Sequence, residues 1–167
     1  IGDPSSGTGQ VHLYESNPNT GIFARYDTLF APGPRTGSLG FGEAVAATGN
    51  HVFVGEDGYD VPGESNGAVH VYSATQAAPS TFAFAHSLFA AGSAQGFGTS
   101  LHAVELANTV RLAVASRPGS TAHVHLFVGS RLPSATPFHE VLAVYRPSSD
   151  SSSDFGRSLV LTQQGDL

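Results

Sequence analysis

The stretch FGEAVAATGNHVFVGEDGYDVPGESNGAVHVY, from Phe41 to Tyr72, indicates how the whole chain folds. It contains three short apolar runs, at Ala44–Ala47, His51–Val54 and Ala68–Tyr72. Valine and phenylalanine alternating with other residues are typical of strands, and the Gly49-Asn50 pair between the first two runs is typical of a hairpin turn. A loop rich in Gly, Asp and Glu separates the second run from the third. The stretch therefore predicts a hairpin followed by a third strand.

The composition favours a β-rich globular protein. The 167 residues include 20 Gly and 10 Pro but no Cys, Met, Trp or Lys. Gly or Pro interrupts most windows of helical length, and no amphipathic helical pattern is present. The formal net charge is −6, whereas a nucleic-acid partner requires a basic face, so we expect no nucleic-acid binding. Hydrophobic residues make up 40% of the chain, which is enough to form a core.

Two independent markers repeat along the chain. Phe-Gly pairs occur at Phe41-Gly42, Phe97-Gly98 and Phe155-Gly156, which are 56 and 58 residues apart. The valines that open a Val-His-aliphatic-aromatic strand are Val11, Val69 and Val124, which are 58 and 55 residues apart. This agreement indicates an internal repeat of about 57 residues, with four short strands in each copy. The predicted units of this single all-β region (1–167) are 9–66, 67–121 and 122–167, the last continued by a segment of the type at 1–8.

The order of these motifs resembles the FG-GAP repeats, which form the blades of integrin-α-type β-propellers and of many secreted bacterial and algal proteins. The Phe-Gly half of the motif is present at the three pairs above. The second half is degenerate and occurs at Val54-Gly55-Glu56, Val114-Ala115-Ser116 and Ile1-Gly2-Asp3. The resemblance spans essentially the whole chain. It implies an all-β, propeller-like fold of about three four-stranded blades.

The repeated residues suit a stack of blades. Glycine after each phenylalanine allows the backbone to pass close to a neighbouring blade while the ring fills the gap. The strand Val69–Tyr72 carries large side chains on both faces, as expected for a sheet that is covered on both sides. Propellers need at least about four blades. We therefore expect part of a larger propeller, a tandem array or an end-to-end assembly, and because Ile1 is not an initiator residue we expect a processed chain or a fragment.

One acidic loop suggests a calcium site. Loops at this place in FG-GAP repeats often bind Ca²⁺, which prefers several oxygen ligands. Glu56, Asp57 and Asp60 supply three carboxylates within five residues and are the predicted ligands. The corresponding loop at Ser116–Thr121 contains no acid. The alternative is a solvated acidic loop without a metal.

The histidines do not indicate an active site. His12, His70 and His125 recur at one position of the repeated strand. Equivalent positions on neighbouring blades lie about 10 Å apart, too far to share one ion. We therefore expect these histidines to be packed or hydrogen-bonded between blades, with a Zn²⁺ or Cu²⁺ site as the alternative. No hydrolase, metalloprotease, phosphate-loop or dinucleotide-binding motif occurs, so we predict that the protein is not an enzyme.

The remaining signals point to an extracellular protein. The segment Pro147–Asp154 is rich in Ser and Pro, which predicts O-glycosylation at Ser151, Ser152 and Ser153; the alternative is an ordinary loop. No apolar run is long enough to span a membrane as a helix. We predict a non-enzymatic structural or adhesive repeat protein, secreted or on a cell surface, that contacts other proteins or its own copies, for example in a filament. The alternatives are a calcium-dependent, ligand-binding propeller of integrin type and a non-catalytic propeller fragment of a larger enzyme.

Overall fold

The computed structural model describes residues 1–4, 9–33, 40–59, 67–75, 78–90, 96–116, 123–133, 137–146 and 155–162, with only the backbone at 78–80. All regular secondary structure in these residues is β, and they contain no helix. The prediction of an all-β chain is therefore confirmed. No helix within the described stretches has the length and apolar character needed to cross a membrane.

The described strands form three antiparallel sheets. In chain order they are β1 Gly2–Asp3, β2 Gln10–Ser16, β3 Phe23–Phe30, β4 Val45–Ala47, β5 His51–Glu56, β6 Ala68–Thr75, β7 Ala78–Leu88, β8 Ser100–Glu105, β9 Thr109–Ala115, β10 His123–Ser130 and β11 His139–Tyr145. Sheet 1 has the order β1-β2-β3, sheet 2 the order β4-β5-β6-β7, and sheet 3 the order β8-β9-β10-β11. Each four-stranded sheet joins the last two strands of one predicted repeat unit to the first two of the next.

Strand register repeats from sheet to sheet. Gly2 pairs with Val11 in sheet 1, as Gly55 pairs with Val69 in sheet 2. This register matches the sequence equivalence of Ile1-Gly2-Asp3 with Val54-Gly55-Glu56. A β-bulge also recurs at one place in the repeated strand, after Leu13 in β2, Val71 in β6 and Leu126 in β10. Because a bulge adds local twist and bend, its repetition gives the three hairpins the same shape.

The sheets pack in chain order, with sheet 2 in the middle. One buried cluster joins sheet 1 to sheet 2 through Val11 and Leu29 on one side and Val52 and Val54 on the other. A second cluster joins sheet 2 to sheet 3. Its buried members are Phe53, Val69, Val71, Leu88, Ala90, Phe97, Val110, Leu112, Val114, Phe127 and Phe138.

Successive side chains along β5 of sheet 2 point in turn toward sheet 1 and toward sheet 3. Val52 and Val54 pack toward sheet 1, whereas Phe53, which lies between them, packs toward sheet 3. Every residue of β5 is consequently buried. In a strand that is covered on both faces, the side chains of both faces are mostly apolar. This explains why polar and apolar residues do not alternate in His51–Glu56.

Candidate functional site

Phe41 fills the space between sheet 1 and sheet 2. Its side chain is fully buried and belongs to the cluster that contains Val11 of sheet 1. The centroid of its ring lies 5.8 Å from that of His70 and 6.3 Å from that of Tyr72. Aromatic pairs at this separation add to the free energy gained from burial. Phe41 therefore packs between His70 and Tyr72 of β6 and the core residues of sheet 1.

Phe97 has the equivalent place between sheet 2 and sheet 3. It is also fully buried. Its ring centroid lies 5.3 Å from that of His125 and 5.9 Å from that of Phe127. These two partners occupy the same positions in β10 that the partners of Phe41 occupy in β6. One packing arrangement is thus used twice within the chain.

The glycine after each phenylalanine lies against the preceding sheet. Gly42 has a φ of +93°, and a Cβ added to it would lie 2.9 Å from the carbonyl oxygen of Gln10. Gly98 has a φ of +99°, and its Cβ would lie 2.6 Å from the carbonyl oxygen of Ala68. A side chain is disfavoured both by this backbone conformation and by the lack of space. The two sheet contacts therefore depend on glycine.

The third Phe-Gly pair lies on the outer face of sheet 3. A Cβ on Gly156 would lie 3.1 Å from the Cβ of Ala115. Phe155 and the buried Leu161 pack in a cluster that includes Val124 of β10. Residues 155–162 form no strand, whereas the first two Phe-Gly pairs are followed by β4 and β8. We call these residues the 155–162 segment.

A cross-strand hydrogen bond recurs at the histidine of each repeated strand. In every sheet the Nδ1 atom of this histidine bonds to a polar side chain on the next strand, 15 to 17 residues later: His12 to Thr28 at 3.2 Å, His70 to Ser87 at 2.8 Å, and His125 to Glu140 at 3.0 Å. The sequence predicts that these histidines are packed or hydrogen-bonded between blades. The three hydrogen bonds instead join strands of the same sheet. The two rings of sheets 2 and 3, by contrast, do pack against the phenylalanine between sheets.

His70 is part of a series of three polar side chains, of which His70 and Glu56 are buried and Ser87 is partly exposed. Its Nε2 atom lies 2.7 Å from Oε2 of Glu56, and its Nδ1 atom bonds to Ser87. A serine, a histidine and a carboxylate in series can activate a nucleophile. Here, however, both His70 and Glu56 are fully buried, which keeps solvent and substrate from the ring. The serine position is also taken by threonine or glutamate in the other sheets, so we interpret the series as part of the repeated frame.

A second histidine cluster lies between sheet 2 and sheet 3. His51 donates from Nε2 to the carbonyl oxygen of Ser130 at 3.0 Å, while Nε2 of His86 accepts a hydrogen bond from the Phe138 amide at 3.3 Å. The ring of Phe138 lies edge-on to that of His51, at 5.4 Å. Burial lowers the pKa of His51. Burial and the nearby charge of His51 lower the pKa of His86.

Glu105 adds a polar contact at the same interface. Its Oε2 atom accepts a hydrogen bond of 2.9 Å from the amide of Gly49, in the β4–β5 turn. Its Oε1 atom pairs with Arg131, and the hydrogen bond from this guanidinium lowers the pKa of the Glu105 carboxyl. The turn of sheet 2 is thereby held against sheet 3.

Two of the three predicted calcium ligands, Glu56 and Asp57, lie among the described residues. The Glu56 carboxylate faces His70, and Asp57 is nearly buried beside Gly40. Asp60 lies outside the described residues. Within the described stretches no group of three or more His, Asp or Glu side chains is arranged to hold a metal ion. Calcium binding at this loop stays a prediction, as does O-glycosylation at Ser151, Ser152 and Ser153, which also lie outside the described residues.

Sheet 1 presents an exposed aromatic face. Tyr14 is 43% exposed, whereas the residues at the same position of the repeat, Tyr72 and Phe127, are each 3% exposed. Phe30, which pairs with Gln10 and so lies on the same face as His12 and Tyr14, is 58% exposed. Exposed apolar side chains grouped on one face are typical of an interaction surface. Elsewhere in and beside sheet 1, the side chains of Ile1, Ile22, Phe23 and Tyr26 are exposed as well.

An apolar cleft opens beside this face, between sheet 1 and sheet 2. Its volume is about 600 Å³. Aromatic side chains of both sheets line it, among them Tyr14, Phe23, Tyr26 and Phe82. Clefts of this size and lining accept apolar or aromatic groups.

The comparisons with known proteins leave the family of the chain open. A scan against protein-family models matches no family, and a search of curated proteins gives no match.

Sequence reasoning did not identify the partners of the repeated histidines. Thr28, Ser87 and Glu140 look like ordinary polar residues of separate strands. The signal that could have found them is the constant offset of a polar residue behind each histidine, in the adjacent strand. His51 and Phe138 carry no such signal, because their contact joins different sheets.

Proposed function

We propose that the chain is a non-catalytic repeat protein of β-propeller type, similar to the FG-GAP repeats, that acts by making protein–protein contacts. Copies of the chain itself are among the partners. The observation that carries the proposal is the exposed aromatic face of sheet 1, in which Tyr14 is open to solvent while its two counterparts are buried. The corresponding faces of sheet 2 and sheet 3 are both buried against another sheet of the same chain. The exposed face of sheet 1 has the same residue pattern, so it is suited to bind a similar surface on another protein.

The propeller arrangement is supported by the repeated contact between sheets. Phe41 and Phe97 pack on equivalent side chains, and each is followed by a glycine that touches the preceding sheet. A constant contact between successive sheets adds a constant rotation for each sheet, which generates a curved stack. Electron microscopy of the purified protein tests this. Blades arranged around an axis are the expected result, and sheets stacked in a flat sandwich would contradict it.

The absence of catalysis is proposed from the repetition of the polar clusters. A catalytic centre needs a group that differs from its counterparts and is open to substrate, whereas His70 and Glu56 are fully buried and the bond from His70 to Ser87 has a counterpart in both other sheets. The extracellular or cell-surface location rests on the resemblance to secreted FG-GAP proteins. Protease treatment of intact cells tests the location, because a surface protein is degraded and an internal one is protected.

Sedimentation velocity over a wide range of protein concentrations tests the proposed function. We expect larger species to appear as the concentration rises, because the apolar face of sheet 1 becomes buried. A single non-interacting species at every concentration would contradict self-association.

A further inference from the structure

The two interfaces inside the chain, between sheets 1 and 2 and between sheets 2 and 3, indicate which residues would contact the exposed face of sheet 1. In sheet 2, the rings of His70 and Tyr72 are covered by Phe41. In sheet 3, the rings of His125 and Phe127 are covered by Phe97. The corresponding side chains of sheet 1 are His12 and Tyr14, and among the described residues no phenylalanine ring covers them.

The missing phenylalanine has a counterpart on the opposite side of the molecule. Phe155 lies on the outer face of sheet 3 and is followed by Gly156, whose φ of +79° is in the same left-handed region as the other two glycines of the Phe-Gly pairs. Its ring packs against sheet 3, and part of it stays open to solvent. The 155–162 segment thus presents the residue type that the face of sheet 1 lacks.

The edges of the sheets correspond in the same way. In sheet 2 and sheet 3, β4 and β8 follow the Phe-Gly pair and form one edge. The edge of sheet 1 that corresponds to the one beside β5 is the edge of β1. In sheet 2, the amide of Gly42 donates to the carbonyl oxygen of Gly55 at 3.0 Å, and Gly2 is the residue of β1 equivalent to Gly55.

We propose that the 155–162 segment of one copy docks beside β1 of a second copy, so that Phe155 covers His12 and Tyr14 of that copy. This proposal rests on the proposed function and names its partner surface. Sheet 1 of the second copy then lies on sheet 3 of the first, where Leu142 and Val141 are each 50% exposed. The contact is head-to-tail, so it leaves a free surface of each kind and allows further copies to add.

Cross-linking tests the contact directly, and the lack of cysteine in the chain makes single-cysteine variants unambiguous. Full-length Ile1→Cys and isotope-labelled Ser158→Cys are mixed and treated with a short bis-maleimide, because Ile1 is exposed beside His12 and Ser158 is exposed in the 155–162 segment, and neither change removes Phe155 or Tyr14. The expected product is a dimer that joins one copy of each variant, identified by the mass of the linked peptides. The matched control is Glu15→Cys, because its side chain is exposed on the face of β2 opposite to Tyr14 and should not link to Ser158→Cys.

Two outcomes would overturn the proposal. Dimers formed equally by either variant alone would indicate a two-fold interface, and a link within single chains of the double variant at high dilution would indicate that the segment reaches its own sheet 1. A second measurement separates this proposal from the proposed function. Tyr14→Arg should weaken self-association in sedimentation by about tenfold or more. Unchanged association of Tyr14→Arg would overturn the docking surface alone, whereas a wild-type chain that never associates would contradict the proposed self-association.

Discussion

At the scale of the residue, the two members of each Phe-Gly pair have different roles in the fold. The ring of Phe97 supplies buried apolar area, and truncating such a ring typically costs about 3–5 kcal/mol. Gly98 supplies a backbone that can lie against another backbone. The two residues depend on each other. Glycine allows the two sheets to approach closely, and only at that distance can the phenylalanine ring contact both sheets.

Gly98→Ala is expected to destabilise the protein by about 2–5 kcal/mol, since it adds backbone strain and a clash with the carbonyl oxygen of Ala68. The matched control is Gly21→Ala. Gly21 also has a positive φ, +68°, but nothing lies within 4 Å of its Cβ position, so only the strain of about 1–2 kcal/mol applies. Urea unfolding of both variants measures the difference. Equal losses would show that the close approach is unimportant.

Glu56→Ala is expected to cost about 1–3 kcal/mol of stability, because it leaves the buried Nε2 atom of His70 without this acceptor. Glu56→Gln should lose less, since an amide oxygen can still accept the hydrogen bond. Glu15→Ala, which removes an exposed carboxylate from β2, serves as control and should change stability little. A Glu56→Ala variant as stable as the control in thermal unfolding would refute the role assigned to this pair.

At the scale of the element, the repeated unit is a hairpin with a bulge and a histidine. The bulge after Val71 bends β6 and β7 together, and the bond from His70 to Ser87 ties the two strands on the face that meets sheet 1. Both features recur in the hairpins of sheet 1 and sheet 3. The contacts of His51 and His86 are different, because they belong to a single interface between sheet 2 and sheet 3.

Stability is expected to fall as the pH drops below about 6.5, the ordinary histidine pKa. Burial lowers the pKa of both His51 and His86, so the folded state takes up protons less readily than the unfolded state. The stabilisation by neutral histidines is therefore complete above the unfolded pKa and is lost as the pH falls toward the folded values. His86→Gln should lower the melting temperature at neutral pH and reduce its decrease between neutral and mildly acidic pH.

The control for this pH dependence is Phe127→Leu in the same interface. The substitution weakens packing against Phe97 and leaves the rings around His51 and His86 in place. It should lower the melting temperature equally at both pH values. If His86→Gln retains the full pH dependence of the wild type, His86 is not responsible for it.

At the scale of the whole molecule, the three sheets differ in how well they are covered. Sheet 2 is covered on both faces, sheet 3 is covered by sheet 2 and by the 155–162 segment, and sheet 1 has an open aromatic face. Local stability in a stack follows the number of neighbours of each layer. The end with the open face is the end at which a partner adds the most burial.

Hydrogen exchange is expected to rank the sheets in that order. Amides of β5 and β6 should exchange most slowly, and those of β2 and β3 most rapidly, because sheet 1 can open without disrupting the second interface. Mass spectrometry of peptides from each strand measures this. Equal protection of β2 and β6 would mean that the three sheets unfold as one unit. Raising the protein concentration should protect β2 selectively if copies associate through sheet 1.

Much of the fold could be predicted because its signals are local or periodic. The strands follow from apolar alternation and turn residues, and the equivalence of Gly2 with Gly55 follows from the period. The grouping of strands into sheets could not be read from the repeat units, because a period has no natural starting point. A strand after the third Phe-Gly pair, like β4 and β8 after the first two, is absent from the described residues, in which no strand pairs with the 155–162 segment.

The sequence by itself therefore determined an all-β chain with a repeat of about 57 residues and with phenylalanine and glycine at fixed places. Only the tertiary structure decided that Glu56 faces His70 and not a solvent-exposed loop. It also decided that Tyr14 is exposed while Tyr72 is buried. The physical reason is that the two tyrosines occupy the same position in the same local pattern and differ only in whether another sheet lies against them.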